Sequence, residues 1–548
     1  MKDLISAILN IFKYAGRFFT VLRNTILNLL FFSLIVFVIF SYFSSQGEPE
    51  VTVTKTSILR LDIYGDIVEE RKILSSIEKI LEDPLLGRSR PQETLLQDIV
   101  DIINASASDK ETKIILLNLK RMGKAGLNQL ETIGDALDNF KKTGKQVIAS
   151  EDYYSQSQYF LASYADTIII NPMGGVDIHG LGVYRLYFKE TLEKLKVNYN
   201  IFKVGTYKSA LEPFTRTDMS RQDQQQNEIW LSKLWQGFST IVTKNRNINS
   251  FRLRQYTNNI SEELGKAKGN TAQLALNSGL VDKVLTRSQA KKHIKSLVGG
   301  VGESLPITSS KSYLSSITAS YTPDGSFTQN IGIIVAEGNI LPGKQPTGLI
   351  GSDSLSNLIN KARTDNKIKG LVLRINSGGG SAFASEIIRQ TIIEYKKTGK
   401  PVVISMGTVA ASGGYWIAAD ADEIWAEQAT ITGSIGIFGA IPTFEDSLKS
   451  LGIYSDGIGT TPLAAGLDIT RALADPLKDS IQQNIEYNYN QFLQIVATGR
   501  QLPIDGVAKI AEGRVYDGMT AKEMVLVDSL GSLDDAIQAA AKLAKLSE

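Results

Sequence analysis

Residues 401–439 read PVVISMGTVAASGGYWIAADADEIWAEQATITGSIGIFG. An apolar, β-branched run from Pro401 to Ser405 passes through small residues to Ser412-Gly413-Gly414, and an alanine-rich segment of helical character follows. The pattern predicts a strand that turns sharply into a helix with a serine at the turn. A hydroxyl there has helix N-terminal amides beside it and small neighbours that let a substrate backbone approach. Ser412 is therefore the candidate nucleophile. Taken alone, Ala-Ser-Gly-Gly reads more simply as a tight turn with a serine N-cap, so the rest of the chain decides.

Working outward, the flanking elements occur twice. Lys141-Lys-Thr-Gly-Lys145 returns as Lys396-Lys-Thr-Gly-Lys400, and each copy follows an apolar strand (Ile114 to Leu119; Leu371 to Ile375) and a helix-like run. Ala165-Asp166 returns as Ala421-Asp422, Phe238, Ile241, Val242 and Arg246 as Phe492, Ile495, Val496 and Arg500, and Leu280-Val281-Asp282 as Leu526-Val527-Asp528. Self-similarity over such a length means duplication of a whole unit. Strands alternate with helical stretches in both copies, so the class is α/β with βαβ units. The expected organisation is a copy over 56–297, a Gly-, Ser- and Thr-rich linker over 298–328, and a second copy over 329–548.

Upstream of both copies, no charged residue occurs between Arg23 and Glu48, and Ile26 to Phe43 is nearly continuous Leu, Ile, Phe and Val. This predicts a transmembrane anchor over 25–45, uncleaved because no small-residue cleavage site follows. Residues 1–24 carry Lys2, Lys13, Arg17 and Arg23 among apolar positions, a basic amphipathic segment that suits the cytoplasmic leaflet. Positive charge before the span places the N-terminus inside and the following chain outside: in a bacterium, an inner (cell) membrane protein facing the periplasm or exterior.

Composition limits the chemistry. The 548 residues are 43% hydrophobic and 21% charged with net charge +2, which argues against a nucleic-acid partner. There is no cysteine, and the two histidines are His179 and His293, the latter in a basic run that reads as a solvated face. Thiol nucleophiles and thiolate metal sites are excluded, and a serine–histidine arrangement would rest on His179.

Against that scarcity, the differences between the copies are informative. Ser412 faces Gln156, and the glycine loop Asn376-Ser-Gly-Gly-Gly380 faces Lys120-Arg-Met-Gly-Lys124. Conversely, Val204-Gly-Thr-Tyr-Lys-Ser209 faces Ile458-Gly-Thr-Thr-Pro-Leu463, so Lys208 stands opposite Pro462. One copy supplies a serine with a loop of approachable amides and the other a lysine, which reads as a serine–lysine dyad. At an ordinary pKa of about 10.4, only about one lysine in 2,500 is neutral at pH 7. Lys208 is thus expected in a desolvated cleft between the copies.

Val204-Gly-Thr-Tyr-Lys-Ser-Ala210, Asn376-Ser-Gly-Gly-Gly-Ser381, Ala411-Ser-Gly-Gly-Tyr415 and Thr432-Gly-Ser-Ile-Gly436 together resemble the signal peptide peptidase A (protease IV) family in its long, duplicated, membrane-anchored bacterial form. The resemblance covers nearly the whole chain beyond the anchor. It implies tandem Clp-protease/crotonase-like α/β domains, no cofactor or metal, peptide substrates (cleaved signal peptides) and a homo-tetramer. It further implies Ser412 as nucleophile, Lys208 as general base, Ser434 orienting the lysine, and Gly413 with Gly379 as oxyanion amides, Gly380 being nearly as good a choice as Gly379. The chain departs from the family at Gly378, where proline is common, so the loop is expected to be more flexible. His179, in Asp177-Ile-His-Gly180, reads as structural. Two other classes share such a fold: a crotonase-like acyl-CoA enzyme, which would bind coenzyme A and lack the serine and lysine, and a non-catalytic membrane scaffold, which a serine-directed fluorophosphonate would not label.

Overall fold

The computed structural model describes residues 17, 20–37, 57–72, 93–299, 305–320, 329–461 and 463–546. The chain divides into two units, residues 1–54 and 55–548. In the first, Thr20–Phe37 is a helix of 18 residues with mean hydropathy 1.7, long and apolar enough to cross a membrane. Most of the basic segment and residues 38–45 of the expected anchor lie outside the described residues, as does Pro462.

The second unit holds two parallel sheets, one in each copy. In the N-terminal half the strands run in the order Glu93–Leu95, Ile58–Val68, Ile114–Met122, Gln146–Glu151, Thr167–Ile170, Lys283–Val284. In the C-terminal half the path is Val515–Asp517, Ile431–Gly433, Val402–Ala411, Ile368–Ser377, Asn330–Glu337, with Glu423–Ala426 also on Val402–Ala411. Every pairing in these paths is parallel except Val515–Asp517 on Ile431–Gly433.

The period of two in each strand builds a helix–sheet–helix sandwich. On one face of the N-terminal sheet, Leu59, Leu61, Ile115 and Leu117 pack on Ile99, Ile103, Ile133 and Leu137. On the other, Ile58, Ile114, Ile148 and Ile169 pack on Ala290 and Ile294. The C-terminal half repeats the scheme, with Leu371, Leu373 and Ile404 against Ile359, Ile388 and Ile392, and Val372 and Val403 against Ala536 and Ala540. Strands buried on both faces have near-continuous apolar sequences, which is why these runs stand out.

The repeated motifs are structural pins. Lys145 Nζ donates to the carbonyls of Ser106, Ala107 and Asp109 at 2.6–2.8 Å and closes the end of helix Leu96–Ser108. Lys400 does the same for helix Ser352–Thr364 through Arg363 and Asp365. Lys141 and Lys396 donate to the carbonyls of Tyr164 and Asp420. Asp166 and Asp422 accept from the amides of Val147 and Val402. Arg246 pairs with Asp282 at 2.6 Å and Arg500 with Asp528 at 2.5 Å.

Part of the region read as linker is ordered. Ile307–Ser309 adds a parallel strand beside Ile58–Arg60, and the following helix, Ser310–Ser320, buries Tyr313, whose hydroxyl donates to Asp109 at 3.0 Å. A serine- and threonine-rich composition concealed the few apolar positions that make this possible; residues 300–304 and 321–328 lie outside the described residues.

The halves are joined by an antiparallel ribbon, Asn198–Val204 on Ile437–Thr443, running from Ile437 beside Val204 to Thr443 beside Asn198. They also share a buried charge cluster. Arg374, 1% exposed, donates to Glu69 of the N-terminal half and to Glu427, each at 3.0 Å. This arrangement places the end of the N-terminal ribbon strand, and Lys208 just beyond it, over the C-terminal sheet.

Candidate active site

Strand Val402–Ala411 ends at Ser412, which caps the short helix Gly413–Ala418. Ser412 has φ 55° and ψ −117°, a left-sided conformation that costs a side chain of this kind on the order of 1–3 kcal/mol and lifts the hydroxyl off the turn. The strain is held by a hydrogen bond from Ser412 N–H to Gly433 O at 2.8 Å and from Trp416 N–H to Ser412 O at 2.9 Å. The corresponding turn of the N-terminal half is relaxed. There Ser155, at φ −70°, caps the helix, and Gln156 Oε1 accepts from the amides of His179 and Gly180 at 3.0 and 2.9 Å.

Lys208 reaches this turn from the other half. Its Nζ lies 3.0 Å from Ser412 Oγ and 2.9 Å from both Ser434 Oγ and Ser434 O, with the Phe438 ring 5.8 Å away. The residue is 6% exposed, and burial pulls its pKa down from 10.5 to about 8. Among the described residues no carboxylate counters the desolvation: Ser434, itself at φ 53°, offers only neutral oxygens.

The seat of the lysine is made by a segment that the sequence reading had not singled out. Tyr207 N–H donates to Glu512 O at 2.9 Å, and a Cβ on Gly513 (φ +79°) would stand 2.8 Å from Lys208 N. Gly513 N–H donates to Ile435 O at 2.7 Å, and Ser434 N–H to Arg514 O at 2.6 Å, so one strip of backbone holds both the lysine loop and its serine partner. Nothing local in Glu512-Gly513 signals this, because the contact partner is some 300 residues away.

The glycine loop lies over the same turn. A Cβ on Gly379 (φ +107°) would meet Gly413 N and Ser412 Cβ at 2.8 Å, so only glycine fits there. Ser377 Oγ accepts from Gly379 N–H at 3.1 Å and donates to Gly338 O at 2.6 Å, tying the loop to the preceding strand. Gly380 N sits 3.2 Å from where a Gly413 Cβ would be, whereas a Cβ on Gly378 would meet nothing within 4 Å. The six residues singled out from the sequence (Ser412, Lys208, Ser434, Gly413, Gly379 and Gly380) thus come together. All but the fully packed Gly413 line one cleft of about 590 Å³. His179 lies apart from that cleft, 69% exposed, with Nδ1 3.0 Å from Asp177. Among the described residues no cluster of His, Asp and Glu suits a metal ion.

Comparison with known proteins defines the class, a serine protease. The family model for peptidase family S49 matches residues 139–298 and 394–547, once in each half. Protease 4 of Haemophilus influenzae is 40% identical over 97% of this chain and 86% of its own length. Protease 4 of Salmonella typhi is 39% identical over all of this chain and 88% of its own, and the chloroplastic serine protease SPPA of Arabidopsis thaliana is 27% identical over 91% and 71%. The chain belongs to peptidase family S49, and the tandem α/β organisation read from its repeats is that of two S49 units. The acyl-CoA and scaffold readings are not favoured by these matches.

Proposed function

We propose that the protein is a membrane-anchored endopeptidase with a Ser412–Lys208 dyad that degrades cleaved signal peptides and other apolar peptides. The observation that carries this reading is the 3.0 Å approach of Nζ to Oγ between halves, by a lysine whose burial brings its pKa to about 8. Neutral Lys208 takes the Ser412 proton as Oγ attacks the peptide carbonyl. Amides of Gly413 and of Gly379, or its neighbour Gly380, receive the oxyanion, which outcompetes the neutral Ser377 hydroxyl for the Gly379 N–H. The lysinium then protonates the departing amine, and the lysine next activates the water that resolves the acyl-enzyme. Ser434 aims the lysine. In this reading no metal or cofactor takes part. Ser412→Ala and Lys208→Ala should each lower peptide hydrolysis by at least about a thousandfold with unchanged melting, because the two groups act as one unit. Substantial activity in either variant would refute the dyad.

The proposed boundaries are an anchor at 25–45, a base-bearing repeat at 56–297 with the strand Ile307–Ser309 and helix Ser310–Ser320 added to its sheet and core, and a nucleophile-bearing repeat at 329–548. The anchor would hold the catalytic unit on the outer face of the bacterial inner membrane. Head-to-tail assembly into a closed ring, of which the homo-tetramer implied by the resemblance is one case, is supported by the duplication. Within one chain Asn198–Val204 pairs with Ile437–Thr443, while the counterparts of these strands in the other copies, around 181–187 and 454–458, pair with no strand among the described residues. Both counterparts present apolar side chains to solvent, Tyr184 at 97% and Ile458 at 103% exposure among them. Pairing them between successive chains repeats the intrachain ribbon and closes a ring. Light scattering of the solubilised chain tests this, a monomer being the contrary result.

A further inference from the structure

Beside the catalytic cleft lies a second cavity of about 510 Å³, and the two share Tyr207, Gln226, Trp230 and Val515 as walls. Its lining is largely apolar, with Ile229, Tyr516 and Met524. Into this setting the fold places Arg514. The guanidinium carbon lies 4.0 Å from the centre of the Tyr207 ring, and Nε is buried with no hydrogen-bond partner. Among the described residues the guanidinium has no carboxylate partner either. The cavity's two acidic residues are otherwise disposed: Asp517 accepts from Thr520 N–H at 3.0 Å and lies 3.4 Å from Lys233, and Glu228 stands exposed on its helix. Arg514 is held from below by its own backbone, whose carbonyl accepts from Ser434 N–H, and by Val515 N–H on Gln226 Oε1 at 3.2 Å. Its position is therefore fixed relative to the dyad.

A guanidinium without an acceptor leaves orphaned donors, and its natural complement is a carboxylate received by two parallel N–H groups. The fork is planar by delocalisation, stacking on an aromatic face leaves its edge free for that contact, and apolar walls strengthen the attraction. We propose that this cavity is a substrate subsite in which Arg514 binds a peptide carboxylate. The inference rests on the peptidase reading above and deepens it. The substrates favoured would be peptides carrying a free α-carboxylate, which arise when another endopeptidase has already cut a longer chain, or peptides with an acidic side chain at a matching distance.

The test is binding to the full-length Ser412→Ala chain, so that it does not depend on turnover. Labelled apolar peptides of graded length are titrated as C-terminal acid and C-terminal amide pairs, and a second series compares internal Glu with Gln in amidated peptides. At one length the acid should bind about tenfold more tightly than the amide. Adding Arg514→Gln should bring the ratio to within about twofold, and Arg514→Lys should retain part of it. A preference seen only in the Glu series would assign the cavity to a side-chain carboxylate. Acid-to-amide and Glu-to-Gln ratios near one in the Arg514-containing chain would overturn the proposal without any reliance on a variant's folding, as would ratios that survive Arg514→Gln. Failure of the wild-type chain to hydrolyse any peptide would count against the dyad, and is read separately from these ratios.

Discussion

Ser412 and Lys208 each occupy a position that the isolated residue would avoid, one strained in its backbone and the other stripped of water. The consequence is a pH dependence with a definite sign. The neutral lysine is the active form, and with a pKa near 8 about one enzyme in ten carries it at pH 7. Below pH 8, kcat/KM should fall about tenfold per unit, and above it should level off; a profile flat from pH 6 to 9 would assign proton transfer to another group. The glycine loop allows a sharper contrast. Gly379→Ala puts a methyl within 2.8 Å of Gly413 N and Ser412 Cβ and should cost more than about a hundredfold in kcat, whereas Gly378→Ala meets open space and should change it less than about threefold. Equal effects would mean that the loop does not pack on the nucleophile as described. These residues were legible in the sequence because the two copies differ at them. The supports of Lys208 were not, since Glu512 acts through its backbone carbonyl and the need for glycine at 513 shows only once the lysine loop, some 300 residues away, is brought against it.

At the scale of elements, the duplication preserves whatever holds a sheet together. Lys145 and Lys400, Asp166 and Asp422, and Arg246 and Arg500 perform matching tasks, so the repeat read from letters is a repeat of hydrogen bonds. Alternation and β-branching marked the strand cores, while their ends ran on to Met122, Ser377 and Ala411 because tertiary pairing extends them past the apolar run. The strand Ile307–Ser309 escaped notice because its three residues carry only one strongly apolar side chain. The Arg374 cluster was equally hidden, as its partner Glu69 lies far off in sequence. Arg374→Met would leave Glu69 and Glu427 facing one another in a buried setting, where burial already pushes the Glu427 pKa up. The loss at pH 8 should be about 3–5 kcal/mol in denaturant unfolding, shrinking as pH falls and Glu427, whose pKa burial raises, takes up a proton. A change below about 1 kcal/mol would show that the cluster is not needed to hold the halves together.

For the whole molecule, nucleophile and base belong to different halves, and the ribbon between Asn198–Val204 and Ile437–Thr443 brings them together. Neither half, separately produced, should hydrolyse peptides. Co-expressed halves cut between residues 321 and 328, beyond the helix Ser310–Ser320 that packs on the N-terminal half, should regain activity, because the ribbon and the Arg374 cluster are independent of chain continuity there. A C-terminal half active alone would refute the arrangement. The Glu512–Gly513 seat also bears on how the cell makes such an enzyme. A ribosome delivers Lys208 early, Ser412 much later and Gly513 close to the end of the chain. Until that stretch emerges, the lysine loop lacks the backbone seat that Glu512 and Gly513 give it. The order of synthesis thus makes assembly of the dyad a late event, completed only when a stretch about 100 residues beyond the nucleophile has folded against the lysine loop.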